Sequence, residues 1–204
     1  MPSKICNRCY IFRYNAWTLV NRVFLNKDFK TKYLQVVFSL KIVLLSTSIA
    51  NLKPILFSGC LDVAGHKHNL SILDNAGQHD YENMRTCCYK ESEVLVLCYS
   101  VADRNSLESI QDFWLPEVNN HTRTRRHKPI ILVATQTDLR KDGDTDKVST
   151  AEGEAVAKKI GAQCLMECSA FTQETVNNVF ERMTEAGLRY RKKRSTFMKK
   201  MFGK

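Results

Sequence analysis

The chain has 204 residues, 44% hydrophobic and 25% charged, which suits one soluble domain with a full core and excludes a disordered or membrane-embedded chain. Its net charge of +10 is gathered at one end: residues 189–204 hold eight Lys or Arg and no acid, leaving +2 for the rest. Eight cysteines without regular spacing exclude a disulfide scaffold and point to a reducing compartment, while the single CxxC at Cys6 and Cys9 lacks the second pair a zinc site needs.

Taken in order, residues 1–58 contain no glycine. A phosphate-cradling loop of the form GxxxxGK[ST] needs glycines so that backbone amides can close around phosphates, and the pair Gly59 and Gly65 followed by His66 has the wrong spacing. No such loop is expected. No secretory signal is read, and the most apolar run, 36–50, is interrupted by Lys41 and is too short to span a bilayer. Residues 39–58 are apolar and β-branched with one proline. They read either as an extra strand or two or as non-native coding sequence.

From residue 60 the pattern is regular. Residues 60–66 predict a strand and turn, and 67–73 the returning strand. The His66-Lys67-His68 cluster with His79 fits a solvated turn better than a metal site, because no carboxylate or thiolate stands at ligand spacing. Residues 94–99 and 129–134 are fully apolar strands, as a sheet covered on both faces requires. Between them Asn105-Ser106-Leu107-Glu108 opens a helix with Leu107, Ile110, Trp114 and Val118 on one face. Ser149-Thr150-Ala151-Glu152 caps another helix, 164–168 is the last strand, and a final helix starts near Glu174 with Val176, Val179, Phe180, Met183 and Gly187 in helical spacing. Strands alternating with helices predict a three-layer α/β domain with a central, mostly parallel sheet. Strand ends near Leu73, Tyr99, Val133 and Glu167 are expected to place their loops at one site.

Three motifs lie at those ends: Asp74-Asn75-Ala76-Gly77-Gln78, Thr135-Gln136-Thr137-Asp138 and Cys168-Ser169-Ala170. In this order and spacing the chain resembles the Rho family of small GTPases, closely over 59–193 and loosely over the whole. The resemblance implies a P-loop-NTPase-like fold, GTP/GDP and Mg²⁺ as ligands, and signalling around the actin cytoskeleton through exchange factors and effectors. It makes Asp74 a magnesium ligand, the Ala76-Gly77 turn a γ-phosphate contact, and Gln78 the residue that orients the attacking water. Asp138 would accept from guanine N1–H and the 2-amino group, which adenine does not offer. Thr135 would brace the loop, Gln136 would lay its stem along the base, and Ser169, Ala170 and Phe171 would complete the pocket, with the Ala170 amide donating to O6. Tyr81, Met84 and Cys87 fall on the family's switch II partner surface, and their other reading is ordinary helix packing.

The departures are as informative. Residues 18–29 resemble the family's first helix and 33–38 its first switch, although Pro54-Ile55-Leu56-Phe57 also resembles that switch. In the first register Ala16-Trp17-Thr18 stands where Gly-Lys-Thr is usual, so only the Thr18 hydroxyl is kept for nucleotide and metal, and Val36 replaces a metal-binding Thr. The family's extra helix after residue 140 is truncated here. The domain is read as 1–188 with an atypical insertion at 39–58, followed by a basic tail at 189–204. That tail does not match the family's prenylated Cys-a-a-X box, so a cytoplasmic protein reversibly held at an anionic membrane is expected, with no specific nucleic acid partner. The expected function is a Rho-like GTPase with weak or absent hydrolysis. The alternatives are a nucleotide-independent pseudo-GTPase and a mispredicted gene model of an ordinary member.

Overall fold

Six strands form one sheet in a computed structural model that describes residues 40–46, 55–75, 82–122, 128–141 and 143–202. The strands are β1 (Leu40–Ser46), β2 (Ile55–Val63), β3 (His66–Asn75), β4 (Val94–Ser100), β5 (Ile130–Thr135) and β6 (Cys164–Glu167). Their order across the sheet is β2-β3-β1-β4-β5-β6, all parallel except the edge strand β2, which pairs antiparallel with β3 through the Ala64-Gly65 turn. Both turn residues have positive φ, 53° and 77°, the conformation a tight hairpin needs.

The helices are α1 (Glu82–Glu91), α2 (Arg104–Ser109), α3 (Leu115–His121), α4 (Thr150–Lys159) and α5 (Gln173–Phe202). A π-helical stretch, Ile110–Trp114, joins α2 to α3. It keeps Leu107, Ile110, Trp114 and Val118 on the buried face that the spacing predicts. The cap of α2 lies earlier than expected. Asp103 caps it by accepting from the Asn105 N–H at 3.1 Å, since a carboxylate outcompetes an amide at the dipole's positive end. At α4 the predicted capping box forms in both directions between Ser149 and Glu152.

Every residue of β4 is buried, because helices cover both of its faces. On one face Leu70, Ile72, Val94, Val96, Ile131 and Val133 meet Val176, Val179, Phe180 and Met183 of α5. On the other, Leu95, Leu97, Tyr99 and Leu132 meet α2–α4 through Leu107, Trp114, Val156 and Ile160.

Of the stretch 39–58, residues 40–46 and 55–58 lie in this sheet. Within it Leu40–Ser46 supplies the strand between β3 and β4, pairing Ile42 with both Ile72 and Val94, and Ile55 begins the edge strand. Of the two readings of that stretch, an extra strand or two and non-native coding sequence, the strand reading matches Leu40–Ser46, since an apolar, β-branched run gains most at the centre of a parallel sheet. Only eight residues, 47–54, join β1 to β2. Of the alternative switch motif, Ile55, Leu56 and Phe57 lie in β2. The first-helix and first-switch segments, 18–29 and 33–38, and the residues Thr18, Ala76, Gly77, Gln78 and Tyr81 lie outside the described residues.

Among the described residues, one buried side-chain hydroxyl lacks a partner. Tyr99 Oη lies beneath α4, and a Cβ placed on Gly153 would stand 2.2 Å from it. Burial also pushes the Tyr99 phenol above its usual pKa, with Glu167 acting in the same direction, so the group stays neutral. Tyr99→Phe is therefore expected to stabilise the fold by about 1–2 kcal/mol, since it removes an unsatisfied polar group without changing shape. Gly153→Ala is expected to cost about 1–3 kcal/mol alone, and clearly less in the Tyr99→Phe background. Urea unfolding of the four chains checks this, and equal costs in both backgrounds would refute the contact.

Candidate functional site

The five described parallel strands end on one edge of the sheet, so the loops that follow Ser100, Thr135 and Glu167 are neighbours, and Asn75 ends its strand on the same edge. Asp74 sits in the last pairs of β3, opposite Leu44 on one side and Ile55 on the other. Asp138 follows β5 on the same edge. Three strand spacings separate β3 from β5, roughly 14 Å, a span that fits an elongated ligand lying across the edge.

The loop after β5 is held from beneath. Thr135 Oγ1 donates to the Tyr99 carbonyl at 2.9 Å, and the Val101 N–H donates to the Thr135 carbonyl at 3.1 Å. Gln136 then takes a left-handed conformation, φ 62° and ψ 35°, which is uncommon without glycine. Its side chain is buried and accepts from Ser100 Oγ at 2.5 Å. The backbone reversal turns Gln136 inward and starts the tight turn Thr137–Leu139, closed by the Leu139 N–H on the Gln136 carbonyl at 2.9 Å. Gln136 thus braces the loop from below through its amide. Ser100 is the partner that the sequence does not single out, and its place at the end of the apolar strand β4 is the only signal for it.

The turn presents Asp138 at the surface. Ser169 Oγ donates to its Oδ1 at 2.5 Å and accepts from the Phe171 N–H at 3.1 Å, so one buried hydroxyl ties the two loops together. The Thr137 N–H adds a bond to the Cys168 carbonyl at 3.3 Å. Two groups are left open. No described residue donates to Asp138 Oδ2, and the Ala170 N–H donates to no described residue. Phe171 stands next to them with 75% of its surface exposed. A carboxylate oxygen, an amide N–H and an apolar ring side by side fit the edge and face of guanine: two donors for the carboxylate, one acceptor for the amide.

Below the pocket, Arg140 makes a bidentate pair with Glu167 at 2.8 and 2.9 Å, and Glu167 also accepts from Thr150 Oγ1 at 3.0 Å. Burial opposes the charge on Glu167, but these bonds outweigh it and hold its carboxyl below the usual range. The Cys168 thiol is pushed up to about 12, by burial first and then by Glu167 and Asp138. It is a neutral packing group with no nucleophilic role.

The phosphate and metal half is described only in part. Asp74 is placed by its backbone pairing, and among the described residues no cluster of His, Cys, Asp or Glu suits a metal ion. Of the residues expected on a partner surface, Cys87 is exposed on α1. The opposite side of that helix is anchored by Arg85, which pairs with Glu117 of α3, and by the Lys128 ammonium on the Lys90 carbonyl at 2.8 Å. Met84 lies on the same helix.

Compared with known proteins, residues 19–189 match a family model described as Ras family. The chain is similar to the GTP-binding protein RHO1 of Candida albicans, 39% identical over 143 residues, which is 66% of this chain and 71% of that protein. It is also 39% identical over 137 residues to the GTP-binding protein rho1 of Schizosaccharomyces pombe, covering 63% of this chain and 66% of the relative.

Proposed function

The chain belongs to the Ras family of small GTPases, on its Rho side, and from that premise we propose that it binds guanine nucleotides mainly through the base and signals through Rho-type partners. The observation that carries this reading is the contrast between the two ends of the site. At the base end, Asp138 Oδ2 and the Ala170 N–H are open and held in place. At the phosphate end, the chain before Gly59 has no glycine, and eight residues join β1 to β2.

The size of the missing interactions sets the expected affinity. Charge-assisted bonds to phosphate are worth about 1.5–3 kcal/mol each, so losing three costs on the order of 5–9 kcal/mol, or several decades of affinity. Binding is then weak and guanine-selective, and GDP and GTP are nearly equivalent because the γ-phosphate finds few new contacts. If Mg²⁺ and a terminal phosphate are held at all, Asp74, Thr18 and the Ala76-Gly77 turn are the residues to do it, and Gln78 is the residue to orient water. Exchange factors and effectors of the Rho type would meet the surface that carries Tyr81, Met84 and Cys87, with the actin cytoskeleton as the expected setting.

A single-turnover assay with GTP tests the enzymatic half. Hydrolysis is expected below about 10⁻⁴ s⁻¹, slower than unassisted relatives, and Gln78→Leu is expected to change it less than twofold. Turnover at the usual rate that falls at least tenfold in Gln78→Leu would contradict the proposal.

The second reading is an interaction module with the fold but no nucleotide dependence. It is favoured by the lack of glycine before residue 59, which leaves the phosphate end without the loop that a nucleotide-dependent switch relies on.

A further inference from the structure

Two buried serines at the end of β4 form a hydroxyl chain with a fixed direction. Ser100 and Ser106 each carry one hydroxyl proton. Ser106 Oγ accepts from the Ser100 N–H at 2.9 Å and donates to the Asp103 carbonyl at 2.6 Å, the nearer of two carbonyls in reach. The cap of α2 therefore fixes where Ser100 sits. Ser100 Oγ in turn accepts from the Ala102 N–H at 3.1 Å, and its proton goes to Gln136 Oε1 at 2.5 Å. An amide N–H can serve as donor alone and an amide oxygen as acceptor alone, so the order of the bonds is set.

The chain ends on the strained residue of the site. Gln136 is one of two described non-glycine residues with positive φ, and the other, Ala64, belongs to the β2–β3 hairpin turn. A left-handed backbone costs any residue with a Cβ energy that glycine escapes, so a contact must hold it there. Among the described residues the Ser100 hydroxyl is the hydrogen-bond partner of the Gln136 side chain. The turn that follows depends on that conformation. It is closed by the Leu139 N–H on the Gln136 carbonyl at 2.9 Å and the Arg140 N–H on the Thr137 carbonyl at 3.2 Å, with Asp138 between them. Relaxation of Gln136 to negative φ would swing the turn and carry Asp138 away from Ser169 and the Ala170 N–H.

We infer that Ser100 is a positioning residue for base recognition: its hydroxyl holds Gln136 left-handed and so sets the edge of Asp138 that reads guanine. Ser100 acts on the guanine site proposed above, and its role in selectivity rests on that reading. It acts from beneath, through Gln136, with no contact to the base. The same role accounts for a hydroxyl at the end of a strand whose every residue is covered.

A double-mutant cycle of Ser100→Ala and Gln136→Gly in the full chain tests it, with two readouts. One is the preference for GDP over ADP in competition with a fluorescent nucleotide. The other is amide exchange of Leu139 and Arg140 in the chain without nucleotide. Ser100→Ala is expected to lower the preference at least about fivefold. It is also expected to speed both amides at least about tenfold, while the Cys168 amide, bonded to the Ala134 carbonyl, keeps its rate. Glycine takes the left-handed backbone unaided, so in the Gln136→Gly background Ser100→Ala is expected to change either readout by less than about twofold. A serine that merely fills space would lower the urea midpoint equally in both backgrounds and leave the preference unmoved. In a parent that prefers guanine, a preference or exchange rate unchanged by Ser100→Ala, or equal losses in both backgrounds, would overturn the inference. A parent without guanine preference would refute the proposed function instead, and the exchange rates, which need no nucleotide, would still decide whether Ser100 holds the turn.

Discussion

Replacing Asp138 with alanine is expected to erase the preference for guanine over adenine while leaving the fold intact. The carboxylate is exposed and among the described residues accepts a bond from Ser169 alone, so the loss of stability should be small, within about 1 kcal/mol. The loss of selectivity should be large. Oδ2 and Oδ1 can together accept two donors that adenine lacks, and hydrogen bonds to a charged group are worth about 1.5–3 kcal/mol each. Two of them amount to about two to four decades in the ratio of guanine to adenine affinity. Competition between GDP and ADP for a fluorescent nucleotide measures that ratio. A ratio unchanged in Asp138→Ala would mean that the base is read elsewhere.

Glu117→Ala is expected to be the most destabilising single change. Arg85 of α1 is fully buried against α3 and the π-helical stretch before it, bonded to both Glu117 oxygens at 2.9 and 2.5 Å, with the ring centres of Phe113 and Trp114 5.7 and 5.3 Å from the guanidinium carbon. Tyr89 Oη donates to the same carboxylate. Removing the acid strands a buried cation, a class of change that costs about 3–5 kcal/mol. Arg85→Met/Glu117→Leu, which removes both charges, is expected to recover much of the loss. The pair also sets a pH response. Burial opposes ionisation of Glu117, but its bonds to Arg85 and Tyr89 outweigh that and lower its pKa from 4.5. A lowered carboxyl contributes stability above its unfolded pKa and loses it as pH falls through the folded value. Stability should therefore be flat above about pH 5 and decline below it more steeply than in the double variant. Urea midpoints across a pH series from acid to neutral check both statements, and an alanine variant within about 1 kcal/mol of the parent would refute the network.

The parts of the fold that are legible in the sequence are those set by local chemistry. The unbroken apolar runs of β4 and β5, the Ser149 cap and the stripe of α5 each state their own structure. The observed strand ends at Asn75, Ser100, Thr135 and Glu167 lie within two residues of those expected. What is not legible depends on partners distant in sequence. Leu40–Ser46 is central only because β3 and β4 close on either side of it, and as a run of apolar residues it reads equally well as an insertion. The inward turn of Gln136 follows from a left-handed backbone and the Ser100 hydroxyl, 36 residues away. Arg85 and Glu117 are separated by 32 residues, and nothing in the order of residues pairs them. The basic tail reads as a terminal segment because its charge stands out more than its helical spacing does.

The site divides in the same way. Asp138, Ser169 and Ala170 can be named from their motif and are brought together by the structure, because short loops on adjacent parallel strands leave them no other place. The phosphate end rests on a negative feature of composition, a chain without glycine before residue 59.

Calorimetric titration of the purified chain with GTP, GDP and ATP, with and without Mg²⁺, addresses that point directly. Weak binding of GTP and GDP is predicted, with constants within about threefold of each other, no measurable ATP binding, and little change when Mg²⁺ is removed. Tight GTP binding that depends on Mg²⁺ would contradict this and would mean that the first 58 residues build a phosphate site without glycine.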